Sequence, residues 1–171
     1  GQWGTHFERT NTWWEPGRAW MKYLARCNHL LREGRFVADV LSFVGEDVPN
    51  RIGWRSELAP PLPESYDFDG CDAGALRGAK VKEGRIVLSS GMEYRVLLLP
   101  EKTTIRPAVL RDIARLVRSG ATVVGRRPEQ SPGLANRDRN DALVQELASG
   151  LWGRCDGLTV KENKYGRGQV F

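Results

Sequence analysis

The chain has 171 residues, of which 40% are hydrophobic and 27% are charged, and its formal net charge is +5. This length and composition predict one ordinary domain, or one domain with part of another, and they argue against disorder. No apolar run approaches the roughly 18–20 residues of a membrane helix, so no membrane span is predicted. Basic and acidic residues are interleaved along the chain, which argues against a nucleic-acid partner.

The first fifteen residues are dense in aromatic and polar side chains and follow no helical or strand period. Such a mixture is typical of a loop that lines a site. Tryptophan rings stack on the C–H faces of sugars, and carboxylates bind hydroxyl groups or transfer protons. The alternative is that the tryptophans seal a domain junction and that the charged side chains are solvated. The candidate pocket residues are His6, Glu8, Arg9, Asn11, Trp13 and Trp14.

An amphipathic helix is predicted next. Pro16 suits the first turn of a helix, and Gly34 suits its end. Between them, apolar residues recur at helical spacing and form one stripe. The members of this stripe are Trp20, Tyr23, Leu24, Cys27, Leu30 and Leu31.

From residue 36 onward, predicted strands alternate with predicted helices. Apolar runs predict strands at 36–44, 94–100 and 121–125, and alternation of aromatic and acidic residues predicts a short strand at 66–69. A last strand follows a glycine-rich approach at 165–171. Residues 79–88 predict a hairpin that turns at Glu83-Gly84. One helix follows the apolar period from Leu110 to Val117 and ends at Gly120, and another carries Leu143, Leu147 and Leu151. The pattern predicts an α/β fold, a flavodoxin-like three-layer domain with a mostly parallel sheet.

Ligands of such sheets bind beyond the carboxyl ends of the strands, where the direction of winding reverses. That rule points to the loops at 45–47 and 100–104. Neither loop is a glycine-rich phosphate cradle, and the chain lacks both GxGxxG and GxxxxGK[ST]. The three cysteines form no CxxC pair, which argues against a disulfide framework and a zinc ribbon. No cysteine occupies a nucleophile elbow, and both histidines, His6 and His29, precede the domain.

The stretch Gly-Thr-His-Phe-Glu-Arg-Thr-Asn-Thr-Trp-Trp at 4–14 resembles the segment that closes the catalytic barrel of a glycosidase family. The family is glycoside hydrolase family 106, the α-L-rhamnosidases. The resemblance continues in order through 20–27, 30–40, 66–69, 91–100 and 120–125. The later part also resembles the amidotransferase-like domain beside the barrel of family 42 β-galactosidases.

The resemblance implies two domains. Residues 1–35 would be the C-terminal end of a (β/α) barrel catalytic domain. Residues 36–171 would be an amidotransferase-like, flavodoxin-like accessory domain that is truncated at its C-terminus. The complete protein would be a large enzyme that cleaves terminal α-L-rhamnosides of plant polysaccharides or glycosides, and it would be periplasmic or secreted.

The same resemblance implies hydrolysis with inversion, by a carboxylic acid, a carboxylate base and a bound calcium ion in the complete enzyme. It implies no cofactor in this chain itself. Neither catalytic carboxylate is placed on this chain. Glu8 is the candidate for a substrate or calcium contact, and the other candidate residues would line the pocket around a rhamnose-containing glycan.

Two hypotheses follow from the sequence. In the first, the chain is part of an α-L-rhamnosidase, with an accessory domain that supports the active site, and is inactive by itself. In the second, it is a non-catalytic accessory module that makes homo-oligomer contacts, like the trimerisation domain of the β-galactosidases. An exposed aromatic face at Trp13, Trp14 and Trp20 would favour the first hypothesis.

Overall fold

The computed structural model describes residues 8–46, 48 and 50–171. The chain forms two compact units, Gly1–Phe36 and Val37–Phe171. That the first unit closes a catalytic barrel stays a prediction. No helix in the described part of the chain is long and apolar enough to cross a membrane.

The first unit contains helix α1, Gly17–Leu31. The helix follows Pro16, and at its end the Arg32 N–H donates to the carbonyl of Asn28 at 3.2 Å. The chain then turns at Gly34, whose φ of 85° favours glycine. The predicted helix is therefore confirmed.

The apolar stripe of α1 is present but exposed. No residue of the helix is buried. Trp20 is 51% exposed, Tyr23 63% and Leu31 82%, whereas Leu24 and Cys27 are half-buried. A stripe of this width normally packs against other protein.

The second unit contains nine described strands and three α-helices. The strands are β1 (Val40–Phe43), β2 (Phe68–Cys71), β3 (Lys80–Lys82), β4 (Arg85–Val87), β5 (Glu93–Tyr94), β6 (Val96–Leu98), β7 (Thr122–Val124), β8 (Asn163–Tyr165) and β9 (Gly168–Val170). The helices are α2 (Ala73–Gly78), α3 (Pro107–Ser119) and α4 (Arg137–Trp152), and a short 3-10 helix lies at Arg55–Glu57.

Six strands form the main sheet, in the order β2-β1-β6-β7-β9-β8. The first five are parallel, and β8 pairs antiparallel with β9. The strands β3, β4 and β5 form a separate antiparallel sheet. The α/β fold class with a mostly parallel sheet is confirmed, and the arrangement is compatible with a flavodoxin-like domain.

The core lies between the sheet and helices α3 and α4. Helix α3 buries an apolar face that includes Leu110, Ile113 and Val117. The centre of the sheet contributes Leu41 and Leu97, which are fully buried. These side chains belong to one hydrophobic cluster, which supplies most of the driving force for folding.

Hydrogen bonds fix the amino ends of the central strands. The carbonyl of Asp39 accepts the N–H groups of Arg95 and Val96, at 2.8 and 3.1 Å. The Asp39 carboxylate pairs with the Arg95 Nε at 3.0 Å. The carbonyl of Asp67 accepts the N–H groups of Asp39 and Val40. Segments that are far apart in the sequence are thereby held in register.

A buried tyrosine links the two sheets. Tyr94 is fully buried, and its hydroxyl donates to Asp69 Oδ2 at 2.7 Å. Burial and this hydrogen bond raise the pKa of Tyr94. Burial raises the pKa of the neighbouring Cys71 thiol to about 12, with smaller contributions from Asp72 and Asp69.

Three local expectations differ from the structure. The predicted strand at 94–100 is divided between β5 and β6, because Tyr94 pairs in the small sheet while Val96 pairs in the main sheet. The strand expected at 36–44 begins only at Val40. Helix α4 buries Val144, Ala148, Leu151 and Trp152, whereas Leu143 and Leu147 are half-buried.

The hairpins follow glycine conformations. Glu83 and Gly84 have φ of 51° and 76°, as the predicted hairpin turn between β3 and β4 requires. Strand β9 begins at Gly168, which lies against the chain after α3. An added Cβ at Gly168 would lie 2.3 Å from the carbonyl oxygens of Val117 and Ala121. Only glycine therefore fits this crossing.

We expect Gly168→Ala to lower the free energy of unfolding by at least about 2 kcal/mol, because the methyl group must displace backbone. Gly78→Ala is the matched control, since nothing lies within 4 Å of its Cβ position. That control should lose no stability. Urea unfolding followed by circular dichroism measures both, and equal stabilities of the two variants would contradict the close approach at Gly168.

The raised pKa of Cys71 predicts a pH dependence of stability. Below its ordinary value of 9.0 the thiol is protonated in both states, so its contribution is fully present. Above that value only the unfolded state loses the proton, so stability falls as pH rises toward the folded pKa of about 12. Titration of the thiol in the unfolded state lowers the free energy of unfolding by up to about 1.4 kcal/mol per pH unit.

Cys71→Ala should remove that part of the slope above pH 9 in urea unfolding. Val123→Ala, a buried truncation without a titrating group, should lower stability at every pH and keep the slope. Identical slopes in the wild type and Cys71→Ala would show that the thiol does not titrate as proposed.

Candidate functional site

Residues 8–14 form a series of turns that leads into α1. The Asn11 N–H donates to the Glu8 carbonyl, and the Trp14 N–H donates to the Asn11 carbonyl, both at 3.1 Å. The Gly17 N–H then donates to the Trp13 carbonyl at 2.7 Å and starts the helix. These local hydrogen bonds place the two adjacent tryptophans at the beginning of α1.

Both tryptophans line a small pocket of about 270 Å³. Trp13 is half-buried, and Trp14 is 41% exposed. The Trp13 ring lies against Gly17, where an added Cβ would come within 2.9 Å of ring atom Cε3. The rest of the lining is Glu15, Gly17, Arg18 and Met21.

The charged groups of this pocket are exposed. Glu15 Oε2 and Arg18 Nη2 form an ion pair at 3.1 Å, with both side chains more than 70% exposed. Such a pair contributes little to stability. It supplies hydrogen-bond acceptors and donors beside two indole rings, the combination that binds a sugar hydroxyl next to an apolar sugar face.

The structure brings together only some of the expected site residues. Trp13 and Trp14 share the pocket, but Glu8 and Arg9 are exposed and do not line it. Asn11 is half-buried, and its backbone forms hydrogen bonds within the turns before α1. It does not line the pocket. His6 lies outside the described residues. The role of all six as pocket residues stays a prediction.

Sequence reasoning missed four lining residues: Glu15, Gly17, Arg18 and Met21. Met21 could have been found from the helix itself, because it lies one turn after Gly17 on the same face of α1. Glu15 and Arg18 are close to the tryptophans in the sequence.

The described residues hold no ready metal site. Within 8–46, 48 and 50–171, no group of three or more His, Cys, Asp or Glu side chains could hold a metal ion. The calcium contact at Glu8, which the resemblance implies for the complete enzyme, stays a prediction.

A second cavity lies where the winding of the main sheet reverses, between β1 and β6. It has a volume of about 310 Å³ and is lined by the ends of both strands and by the 51–59 loop. The loops expected there do meet, since the Cβ position of Gly45 lies 3.6 Å from Pro100 Cγ. Arg51 and Glu57 form a two-point ion pair in its wall, at 2.7 and 3.0 Å.

This pair holds its charge. Hydrogen bonding to Arg51 and to the Trp54 N–H lowers the pKa of Glu57, and Glu57 raises the pKa of Arg51. Nearby, Glu46 has a buried carboxylate that accepts the Arg106 N–H at 2.7 Å and also pairs with the Arg106 Nε. Glu46 thus holds the beginning of α3, where a negative charge is favourable.

Cysteine chemistry finds no support at this edge of the sheet. Cys71 ends strand β2 and is buried, and its pKa of about 12 keeps the thiol protonated at neutral pH. A nucleophilic cysteine requires the thiolate.

A third cavity, of about 690 Å³, lies beyond the ends of β7 and β9. One of the acidic residues that line it is Asp156, whose carboxylate is hydrogen-bonded within its own loop. Its carboxylate accepts the Thr159 hydroxyl and the N–H groups of Leu158, Thr159 and Val160. These hydrogen bonds, led by the Thr159 hydroxyl, hold the pKa of Asp156 well below its usual range. Asp156 therefore shapes a turn.

Comparison with known proteins identifies the family. The model of the glycoside hydrolase family 106 α-L-rhamnosidases matches residues 1–171. A curated relative, a putative beta-glucuronidase of Formosa agariphila, is 43% identical over 160 residues, which are 93% of this chain and 13% of the relative.

A solved structure supports the same relationship. The rhamnosidase from Novosphingobium sp. PP1Y matches with a TM-score of 0.69 and 30% sequence identity, over 98% of this chain and 16% of the rhamnosidase. The chain thus spans a small part of the length of both proteins. Because the family model covers every residue, the chain belongs to the α-L-rhamnosidase family, glycoside hydrolase family 106.

Proposed function

We propose that this chain is part of a glycoside hydrolase that removes terminal α-L-rhamnosyl groups from plant polysaccharides or glycosides. The match of the rhamnosidase family over residues 1–171 carries the proposal. The likeness to a solved rhamnosidase over 98% of the chain supports it. In this proposal, residues 1–35 belong to a catalytic barrel, and residues 36–171 form an amidotransferase-like accessory domain.

The chain by itself is not expected to hydrolyse glycosides. An inverting glycosidase needs two carboxyl groups about 6.5–9.5 Å apart, one as acid and one as base. In the described part of the first unit, Glu15 is paired with Arg18 in solvent, and Glu8 lies outside the tryptophan pocket. Both carboxylates are exposed to solvent.

The exposed face of α1 supports the same reading. Trp14 is 41% and Trp20 is 51% exposed, and the helix carries a continuous apolar stripe. Since both matched proteins are several times longer than this chain, the stripe would pack within the longer enzyme. The alternative is that this face packs against a second copy of the chain in a homo-oligomer.

The tryptophan pocket would then contact the substrate. Trp13 and Trp14 would cover the apolar face of the rhamnose ring, which includes its methyl group, and Arg18 would donate to ring hydroxyls. Glu8 would make a further substrate contact.

A second substrate class follows from the Formosa agariphila relative, whose name refers to glucuronides. It favours a β-glucuronide as the alternative substrate. Rhamnose carries a methyl group at C6 where glucuronate carries a carboxylate, and the two sugars also differ in ring configuration. Parallel assays on nitrophenyl α-L-rhamnoside and nitrophenyl β-D-glucuronide therefore distinguish the two classes.

We predict that the longer polypeptide carrying this segment cleaves nitrophenyl α-L-rhamnoside, and that Trp13→Ala or Trp14→Ala lowers kcat/KM by about tenfold to a hundredfold. The estimate assumes that each ring buries an apolar sugar face worth about 1.5–3 kcal/mol. Trp54→Ala is the control, because Trp54 is 74% exposed on a loop of the second unit.

Release of nitrophenol measures the activity of all four proteins, the wild type and the three tryptophan variants. Cleavage of the β-glucuronide alone would overturn the rhamnosidase proposal. Rhamnosidase activity that survives both tryptophan substitutions within twofold would remove the tryptophan pocket from the active site and leave the activity in place.

A further inference from the structure

The beginnings of α3 and α4 enclose a cavity of about 420 Å³ that the proposed reaction does not use. Three arginines line it: Arg106 just before α3, Arg111 within α3, and Arg139 in the first turn of α4. Among the residues that the structure describes, none with an acidic side chain lines this cavity. Its walls are therefore strongly positive.

Two of these arginines have no counterion. Arg111 and Arg139 are exposed, and neither forms an ion pair or hydrogen bond through its side chain with a described residue. Arg106 differs, because Glu46 binds its Nε and its backbone N–H. The charge that remains for a ligand comes mainly from Arg111 and Arg139.

Two carboxylates near the cavity, those of Asp112 and Asp141, bind other partners. Asp141 accepts the Ser131 N–H at 2.7 Å and pairs with Arg137 at 3.5 Å. Asp112 pairs with Arg115 at 3.3 Å. Neither carboxylate lines the cavity, so neither neutralises the two free guanidinium groups directly.

Ser131 lines the same cavity. The residue is only 8% exposed, and its hydroxyl forms no hydrogen bond with any described residue. Among the described residues no fully buried side-chain oxygen lacks a partner, so this hydroxyl reaches the surface of the cavity. The Ser131 hydroxyl can therefore donate to a ligand oxygen there.

The amino ends of two helices lie at the cavity, and each already has a carboxylate nearby, Glu46 at α3 and Asp138 in the first turn of α4. Helix α3 has 13 residues and α4 has 16, and the first turns of both border the cavity. Asn136, the residue before α4, makes no side-chain capping hydrogen bond, so the first N–H groups of α4 have no side-chain cap. Helix amino ends attract anions.

We infer that this cavity binds the oxyanion group, a carboxylate or a sulfate ester, of an acidic saccharide. Arg111 and Arg139 would donate charge-assisted hydrogen bonds to the anion, and Ser131 would be an additional donor. Asn136 and Asn140 offer amide groups for sugar hydroxyls, and Pro107 offers an apolar surface. That the anion belongs to a saccharide rests on the proposed function, whereas the preference for an anion rests on the arginines alone.

Calorimetric titration of the 171-residue chain with sodium galacturonate, sodium sulfate and neutral galactose, at low ionic strength, tests this inference. We expect galacturonate to bind and galactose not to bind. Arg111→Gln and Arg139→Gln should each weaken galacturonate binding by about tenfold, since each loses a charge-assisted contact. Arg154→Gln, an exposed arginine outside the cavity, should bind like the wild type.

Wild-type affinity in both cavity variants would overturn the site, as would equal binding of galacturonate and galactose. Binding of sulfate without galacturonate would overturn the saccharide assignment. Circular dichroism checks that the variants fold. We expect them to fold, because both arginines are exposed and form no ion pair or side-chain hydrogen bond with a described residue. The readout involves no hydrolysis, so failure of the rhamnosidase proposal would leave this result unchanged, and the reverse also holds.

Discussion

The pairing of β1 with a parallel strand on each side is the constraint on which the second unit depends. Strand β1 lies between β2 and β6, and the backbone of Asp39 holds its amino end to both neighbours. Because the winding reverses there, the loops after β1 and β6 meet at the carboxyl edge of the sheet. Glu46 then binds the beginning of α3. Strand register and helix placement thus follow from one central strand.

Local patterns made much of this fold predictable. Helix α3 follows from its apolar period and from Gly120, and the β3–β4 hairpin follows from Glu83-Gly84. The division of the 94–98 segment was not predictable, because its apolar run looks continuous. What divides it is tertiary: Tyr94 reaches Asp69, and Arg95 pairs with Asp39. Helix α4 was predicted from its leucines, and its buried face also includes Val144 and Ala148, which the leucine positions do not single out.

The two sites differ in how far the sequence can reveal them. The tryptophan pocket is local, because Trp13, Trp14 and Arg18 lie close together in the sequence, just before and at the beginning of α1. The arginine-lined cavity joins Arg111 with Arg139, which come from different helices. The interleaved charges of the sequence do not single out these two arginines, and only the packing of α3 beside α4 brings them together.

The most direct test of the tryptophan pocket as part of a rhamnosidase site is a crystal structure of the longer polypeptide with L-rhamnose bound. We expect the sugar to lie against the ring of Trp13 or Trp14, with a hydroxyl within hydrogen-bond distance of Arg18. Rhamnose bound elsewhere, with both indole rings buried against protein, would contradict this assignment and make the tryptophans structural.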